Sequence, residues 1–274
     1  LSSPVMKADT LAFSEKAVGE VSRKLIMILT NVLSFYGLYA QGVPAQASVT
    51  DAPSHVLDRW IMARLETLKQ SVTSAMDEYD LVAASRPFLN FADDLSTWWL
   101  RRRRDRFKKL EEKGPALYTL HVTLYTLAKL MAPFTPFLAE KIYQTLTADS
   151  RQPTALGSVH LEDWPAEDKT LVNEELLRLM EQARKIVESA HALRSEAGIK
   201  VRQPLAELEI SGARFDEDIL KIIADEVNVK RAHVTEEGAP QEGWAEKTEG
   251  GITVRLALEI SEELRREGAV RDII

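Results

Sequence analysis

Residues 79–113 read YDLVAASRPFLNFADDLSTWWLRRRRDRFKKLEEK, and this stretch decides the fold class. Its apolar side chains recur at three- or four-residue steps, which is the spacing of one face of an α-helix. These side chains are Phe88, Phe91, Leu95 and Trp98. The pattern predicts a long helix from Asp80 to about Leu110. Pro87 should either kink this helix or mark its true start.

The second half of this stretch carries most of the positive charge of its surroundings. Residues 98–113 contain eight basic and three acidic side chains, for a net charge of +5. A projection at 100° per residue places Arg102 on the apolar face with Trp98, where it should pack inward. The same projection places Arg101, Arg104 and Lys108 on a second arc, with Asn90 and Thr97. We call these three cations the outer stripe and expect them to face solvent.

The outer stripe has two possible meanings. A basic run is often only a solvated helix face, but it can also bind nucleic acid phosphates. Trp98 and Trp99 are adjacent to it, and aromatic rings can stack on bases of single-stranded RNA. The projection puts Trp99 nearer the border between the two faces, so it is the better stacking candidate, although both tryptophans also suit a hydrophobic core.

Similar helical patterns precede and follow this stretch. One runs from Ser14, its predicted N-cap, and is ended by Gly37 and Gly42, and a Pro-punctuated linker at 41–54 separates it from the next. The later helices are predicted at 57–76 with Ser54 as N-cap, from Pro115 to 131, from Pro136 to about 146, and at about 168–197 with Gly198 as C-cap.

After Gly198 the period changes from helical to alternating. Strands are predicted at 205–211, 228–234 and 252–260, with a helix at 216–227 and a last helix from Glu259. The predicted fold is therefore mainly α, an antiparallel helical bundle followed by a small α+β domain.

The composition excludes several function classes. The 274 residues include no cysteine, which excludes disulfides, thiol catalysis and cysteine-ligated zinc and suits a reducing cytoplasm. The twelve glycines contain no G-x-G pair, so no nucleotide-binding glycine loop is predicted. Glu188 and His191 form one Glu-x-x-His pair, but a di-metal bundle needs a second copy, and none is present. We predict no catalytic residues, no metal site and no membrane segment.

Net charge is distributed unevenly along the chain. The total is −7, yet residues 1–148 carry +3 and residues 149–274 carry −10. The two parts are therefore expected to face different partners. The first residue is Leu1, and an amphipathic pattern reaches Ile274 without a Gly, Asn or Pro terminator, so we expect a piece of a longer protein.

Eight strings in the same order resemble the C-terminal third of isoleucyl-tRNA synthetases, a class I aminoacyl-tRNA synthetase family. They are LSSPVMKADTLAFSEKAV, DRWIMARL, YDLVAASRPFLNFADDLSTWWLRRRRDRF, APFTPFLAEKIYQTL, SVHLEDWP, AGIKVRQPL, DEVNVKRAHV and LRREGAVRDII. SVHLEDWP and the D-R-W start also suit the related valyl enzyme, whereas AGIKVRQPL followed by NVK is more specific to the isoleucyl enzyme.

The resemblance implies a function and a domain plan. The family ligates isoleucine to tRNA(Ile) with ATP and Mg²⁺, but the HIGH and KMSKS motifs of its catalytic core do not occur in this sequence. Residues 1–48 would join the missing core to the first bundle helix, 49–165 would form the anticodon-binding bundle, and 166–274 would form a long helix and a truncated α+β domain. The implied partners are tRNA(Ile) and the catalytic core of the same polypeptide, in the cytoplasm and without a membrane. No cofactor is expected for this region itself.

The resemblance also implies tRNA contacts. In class I relatives an Asn on the first bundle helix and residues of the later arginine-bearing helix lie near the anticodon. The matching positions are Asn31, Trp99, Arg101, Arg104 and Lys108, and Arg202 in the AGIKVRQPL loop is a further RNA-contact candidate. A rival interpretation is a stand-alone helical module that binds protein through its acidic second half.

Overall fold

The computed structural model describes residues 15–40, 55–148, 157–236 and 242–273. The chain forms two compact units, which divide between Asn173 and Glu174. The first unit is helical and the second combines helices with a four-stranded sheet. The predicted fold class, mainly α followed by a small α+β part, is confirmed.

The first helical run passes through Gly37 without ending there. It comprises α1 (Glu15–Val21), a π-helical stretch (Ser22–Met27) and α2 (Ile28–Ala40). A glycine inside a helix costs only about 1 kcal/mol, and α2 buries Leu29, Val32, Leu33 and Phe35 in the core. This packing outweighs the glycine, and α2 ends at Ala40, between the two predicted end glycines; Gly42 lies outside the described residues. Ser14 and the linker 41–54 lie outside the described residues.

The next helices begin at capped positions. α3 (Val56–Asp77) is capped by His55, whose Nδ1 accepts a hydrogen bond from the backbone N–H of Leu57 at 3.0 Å. Ser54, the predicted cap, lies outside the described residues. Asp80 caps α4 (Leu81–Ser85), and Pro87 is the first residue of α5 (Pro87–Asp93), as the sequence predicts.

The fourth predicted helix begins earlier than expected. α7 runs from Leu110 to Met131 and contains Pro115, so the prediction of Pro115 as its start is wrong. Acidic side chains stabilise the first turn of a helix, and Glu112 in that turn pairs with both Arg106 and Lys109. These interactions extend the helix upstream of the proline. α8 (Pro136–Thr147) begins at Pro136, as predicted.

The core of the first unit lies between α2, α3, α5 and α7. Its largest fully buried side chains include Trp60, Phe88, Phe91 and Phe107. Burying such aromatic rings stabilises the unit by about 1.5–3 kcal/mol for each side chain.

The second unit begins with α9 (Glu174–Glu196), which is shorter than predicted. Asp168 instead caps a 3₁₀ turn, Lys169–Leu171. Gly198, with φ of 68°, ends α9 as predicted, and the Ile199 N–H returns to the Arg194 carbonyl at 2.9 Å.

A four-stranded mixed sheet follows, in the order β2-β1-β4-β3. Its members are β1 (Leu205–Ser211), β2 (Val229–Val234), β3 (Trp244–Glu249) and β4 (Ile252–Ala257). β1 and β2 are parallel and connected through α10 (Glu217–Val227), whereas β4 is antiparallel to both β1 and β3. The last helix is α11 (Glu262–Ile273).

The strand β3 is absent from the sequence prediction. Its residues WAEKTE lie at the edge of the sheet and are exposed or only half-buried, so their apolar alternation is weak. Gly250 and Gly251 both have positive φ and connect β3 to β4, as a two-residue hairpin turn requires. The pairing with β4 therefore defines this strand more than its own composition does.

Candidate nucleic-acid interface

Residues 94–108, which we call the arginine segment, form one helical run whose number of residues per turn changes along its length. After α5 it becomes π-helical over Asp94–Leu100, then α-helical in α6 (Arg101–Arg103), then 3₁₀-helical over Arg104–Lys108. A π-helix is wider than an α-helix and a 3₁₀-helix is tighter. A projection at a constant 100° per residue therefore drifts, and the side on which each residue lies depends on its tertiary contacts.

A buried carboxylate on α3 holds this segment from the inside. Asp58 is 1% exposed, and its Oδ1 accepts a hydrogen bond from Nε1 of Trp99 at 2.9 Å. Its Oδ2 accepts another from Nη1 of Arg106 at 2.6 Å, while Nε of Arg106 donates to Oε2 of Glu112 at 2.7 Å. Charge-assisted hydrogen bonds of this kind are about twice as strong as neutral ones. These bonds connect α3, the arginine segment and α7. We call Asp58, Trp99, Arg106 and Glu112 the Asp58 cluster.

A second buried carboxylate also connects α3 to the arginine segment, but here α3 supplies the arginine and the segment supplies the carboxylate. Here Arg64 belongs to α3 and Asp94 begins the π-helical stretch, with Nε of Arg64 2.8 Å from Oδ2 of Asp94. Asp94 is 1% exposed. Together the two interactions fix both ends of the segment against α3, so its outer side has a defined position.

The outer stripe lies on the surface, as predicted. Arg101, Arg104 and Lys108 are all exposed. The guanidinium of Arg104 lies 5.7 Å from the ring centre of Phe35, and Lys108 forms an exposed ion pair with Asp105 at 3.2 Å. Exposed ion pairs contribute about 0–1 kcal/mol to stability, so little is lost when such a cation binds another anion. These cations can therefore meet a phosphate without disrupting the core, and their contact with RNA stays a prediction.

Trp99 is not available for base stacking, so its prediction as a stacking residue is wrong. Its side chain is 0% exposed, packs edge-on against Phe107 and donates to Asp58. Trp98 is 8% exposed, and both rings are core residues. The π-helical stretch turns Trp99 inward because each π turn contains more residues than an α turn.

Arg102 lies partly inward, beside an aromatic ring. Its guanidinium is 5.8 Å from the centre of the Trp98 ring, and the residue is half-buried. This agrees with the predicted inward packing. Arg106, however, is the most deeply buried of the described arginines in the segment, and the sequence analysis missed it.

The missed residues Asp58 and Arg106 had only weak signals in the sequence. Asp58 stands in the first turn of α3, where an acidic residue is ordinary. Arg106 is one cation in a basic run, with Phe107 beside it as the only hint of burial. Neither position could be paired with the other, since 48 residues separate them.

Asn31 lies on the exposed side of α2. Phe35, one turn later, is buried and contacts Phe107 of the arginine segment at 4.9 Å between ring centres. The side chain of Asn31 thus faces solvent on a helix that packs against this segment. Its contact with RNA stays a prediction.

Arg202 is exposed at the tip of a loop in the second unit whose carbonyls are bound from beneath. The fully buried Arg194 donates to the carbonyls of Lys200, Gln203 and Asn228 at 3.2, 3.0 and 2.8 Å. Burial lowers the pKa of the Arg194 guanidinium to about 10, so it stays protonated at neutral pH. We call residues 199–203 the clamped loop.

Two further side chains complete the clamped loop. Asn228, in the left-handed conformation, donates to the carbonyls of Val201 and Arg202 at 2.8 and 3.1 Å. The amide of Gln203 donates to the Leu264 carbonyl at 2.7 Å. Gln203 therefore joins the loop to α11, whereas the Arg202 side chain points to solvent.

Most of the residues described above belong to one recognised domain family. The family of anticodon-binding domains of tRNA ligases matches residues 58–210 of this chain, which is more than half of its length. The chain belongs to this family. The matched region of the anticodon-binding domain begins at Asp58 itself and ends in β1, so it includes the Asp58 cluster, the outer stripe and the clamped loop. Asn31 precedes it.

Curated relatives of this anticodon-binding domain are much longer proteins. An isoleucine–tRNA ligase of Dehalococcoides mccartyi is 39% identical over 274 residues, which covers 96% of this chain and 27% of the relative. One from Streptomyces coelicolor is 33% identical, with 94% of this chain and 31% of the relative covered. One from Chlamydia pneumoniae is 38% identical, with 86% and 23% covered. The chain thus spans about a quarter of the length of these relatives.

The described residues contain neither a metal-type cluster nor a membrane-type helix. Across residues 15–40, 55–148, 157–236 and 242–273, no three His, Asp or Glu side chains come together as a metal site would require. Within the same part of the anticodon-binding domain, no helix has both the length and the apolar character needed to cross a membrane.

Proposed function

We propose that this chain is the tRNA-binding portion of an isoleucine–tRNA ligase and that it binds the anticodon stem-loop of tRNA(Ile). The observation that carries the proposal is the family match over 58–210, which includes an exposed basic segment fixed from inside by buried carboxylates. The relatives reported above support the isoleucyl assignment over the valyl one.

The geometry suggests how such binding would work. Arg101, Arg104 and Lys108 would neutralise phosphates, which gives affinity and register but no base specificity. The Asp58 cluster fixes the backbone that carries these cations before RNA arrives, so only their side chains would be ordered on binding. Base recognition would then come from polar groups near this surface, with Asn31 as the candidate on α2.

The remaining partners and cofactors follow from the same proposal. The catalytic core of the ligase would lie elsewhere in the same polypeptide, and ATP and Mg²⁺ would serve that core, because the HIGH and KMSKS strings do not occur in this sequence. We expect the ligase to work in the cytoplasm.

A filter-binding titration tests the proposal. The 274-residue chain is titrated with isoleucine tRNA and with a noncognate tRNA at several salt concentrations. We expect tighter binding of isoleucine tRNA, and an affinity that falls linearly with salt on a log–log scale, by about 0.7–0.9 in slope for each phosphate contact. An affinity that was independent of salt and equal for the two tRNAs would contradict the proposal.

A second measurement separates binding from chemistry. We expect the chain alone to show no pyrophosphate exchange with isoleucine and ATP. Measurable exchange would show that the activating chemistry needs no other part of the ligase.

A further inference from the structure

A small pocket lies between α3 and the start of α5, outside the surface described above. Its volume is about 270 Å³, just below the roughly 300–1,000 Å³ of sites for drug-sized ligands. Leu68, Pro87 and Phe91 supply its apolar lining. A pocket of this size can hold one small group, such as one phosphate with part of its sugar, but not a longer segment.

The polar lining of the pocket is basic. It contains Arg64 and Arg86 together with the amide of Asn90, and its lining includes no acidic residue. Nε of Arg64 donates to the buried Asp94, which holds this guanidinium at the wall of the pocket. Arg86 is exposed, and in the described part of the chain its side chain forms no hydrogen bond or ion pair.

This chemistry suits a phosphate group. Arginine guanidinium groups bind phosphate oxygens through paired N–H donors, and the Asn90 amide can add one donor. We propose that the pocket binds a single backbone phosphate of the RNA, with Arg64 and Arg86 on either side of it. This inference rests on the proposed function, and it adds a phosphate site that is separate from the outer stripe.

The pocket and the outer stripe are connected along one helical face. Oγ1 of Thr97 donates to Oδ1 of Asp93 at 2.9 Å, and Nε of Arg101 donates to the Thr97 carbonyl at 3.1 Å. Asn90 lies one turn before Asp93 and eleven residues before Arg101, on the same continuous run of α- and π-helix. An RNA strand lying along this face could reach both sites.

The test removes the exposed member of the pocket. Arg86→Ala should lower the affinity for isoleucine tRNA about sixfold at 0.1 M salt and reduce the log–log salt slope by about 0.7–0.9, because one phosphate contact is lost. Arg86→Lys should restore the slope but only part of the affinity, since lysine keeps the charge and loses the paired donors. Lys141→Ala, which removes an exposed cation from α8, is the matched control and should change neither quantity.

The possible outcomes separate this proposal from the wider one. If wild-type chain binds tRNA and Arg86→Ala has the slope of the control, the phosphate site is wrong and the proposed function stands. If wild-type chain does not bind tRNA, both fall. A titration with inorganic phosphate, followed by NMR of the arginine Nε–H signals, tests whether the ligand is free phosphate instead of RNA. Phosphate binding that depends on Arg86, with no change in the salt slope for tRNA in Arg86→Ala, would make the pocket a free-phosphate site. That result would overturn the RNA assignment.

Discussion

The arginine segment of the first unit and the clamped loop of the second are both predicted RNA contacts, and each is held from beneath by a buried arginine. Arg106 binds the carboxylates of Asp58 and Glu112, so two opposite charges compensate its burial. Arg194 instead binds three backbone carbonyls, and burial lowers its pKa.

In each region, arginines a few residues apart have different roles: one is a buried anchor and another is exposed. In the arginine segment the buried anchor lies inside the basic run itself, so the sequence hides it among exposed cations. In the clamped loop the anchor lies on the preceding helix, and Arg202 is left to face solvent. A basic residue is therefore a better candidate for RNA contact when its side chain is exposed than when it serves as a buried anchor.

The largest expected effect is on the anchor of the arginine segment. Arg106→Ala should lower the free energy of unfolding of the first unit by about 3–5 kcal/mol, because the buried Asp58 loses the Arg106 cation. Arg101→Ala, the exposed control, should cost within about 0.5 kcal/mol. Urea unfolding followed through the indole N–H signal of Trp60 measures both. Equal losses would contradict the division into inner and outer arginines.

The anchor of the clamped loop should give the next largest effect. Arg194→Ala leaves three carbonyls without their charged donor and should cost about 2–4 kcal/mol, with Arg202→Ala nearly neutral. Trp244 is the only tryptophan after residue 173, so its indole signal reports this unit alone. If Arg202→Ala destabilised the unit as much as Arg194→Ala, the exposed position of Arg202 would be wrong.

Charge reversal on the outer stripe should affect RNA binding more than stability. Arg101→Glu combined with Arg104→Glu should weaken tRNA binding about fortyfold at 0.1 M salt, since two phosphate contacts are lost, while stability changes by about 1 kcal/mol or less. Lys141→Glu with Lys221→Glu makes the same change in net charge at exposed positions elsewhere. A similar loss of affinity in this control would mean that net charge, and not the stripe, governs binding.

The smallest effect concerns Trp99. Trp99→Phe removes the indole N–H that Asp58 accepts and should cost about 1 kcal/mol of stability. Affinity for tRNA should stay within about twofold of wild type, because a fully buried ring has no base to stack on. Filter binding and urea unfolding of the same variant give both values. Weakened binding at unchanged stability would return Trp99 to the interface.

The elements that the sequence predicted well are those with strong local signals. Asp80, Pro87 and Pro136 start helices, Gly198 ends one, and β1 occupies the predicted residues. Predictions failed where tertiary contacts outweighed a local signal. The helix α7 begins upstream of Pro115, its predicted start, because its first turn pairs with Arg106.

The candidate site divides in the same way. The outward positions of Arg101, Arg104 and Lys108 were predictable, since charged side chains are rarely buried and these three share one arc of the helix. The pocket between α3 and α5 was not, because Arg64 on α3 and Arg86 between α4 and α5 meet only in the folded unit.

The amino-acid sequence by itself determined the helical class, the change to a sheet after Gly198 and the concentration of positive charge in residues 98–113. These features depend on local periodicity and composition, which act over a few residues. Only the tertiary structure decided that Trp99 and Arg106 face inward. The helical period changes along the arginine segment, and carboxylates from a distant helix select Trp99 and Arg106 for the interior. Burial of a charge depends on a partner that the chain supplies from far away in sequence, so no local pattern can specify it.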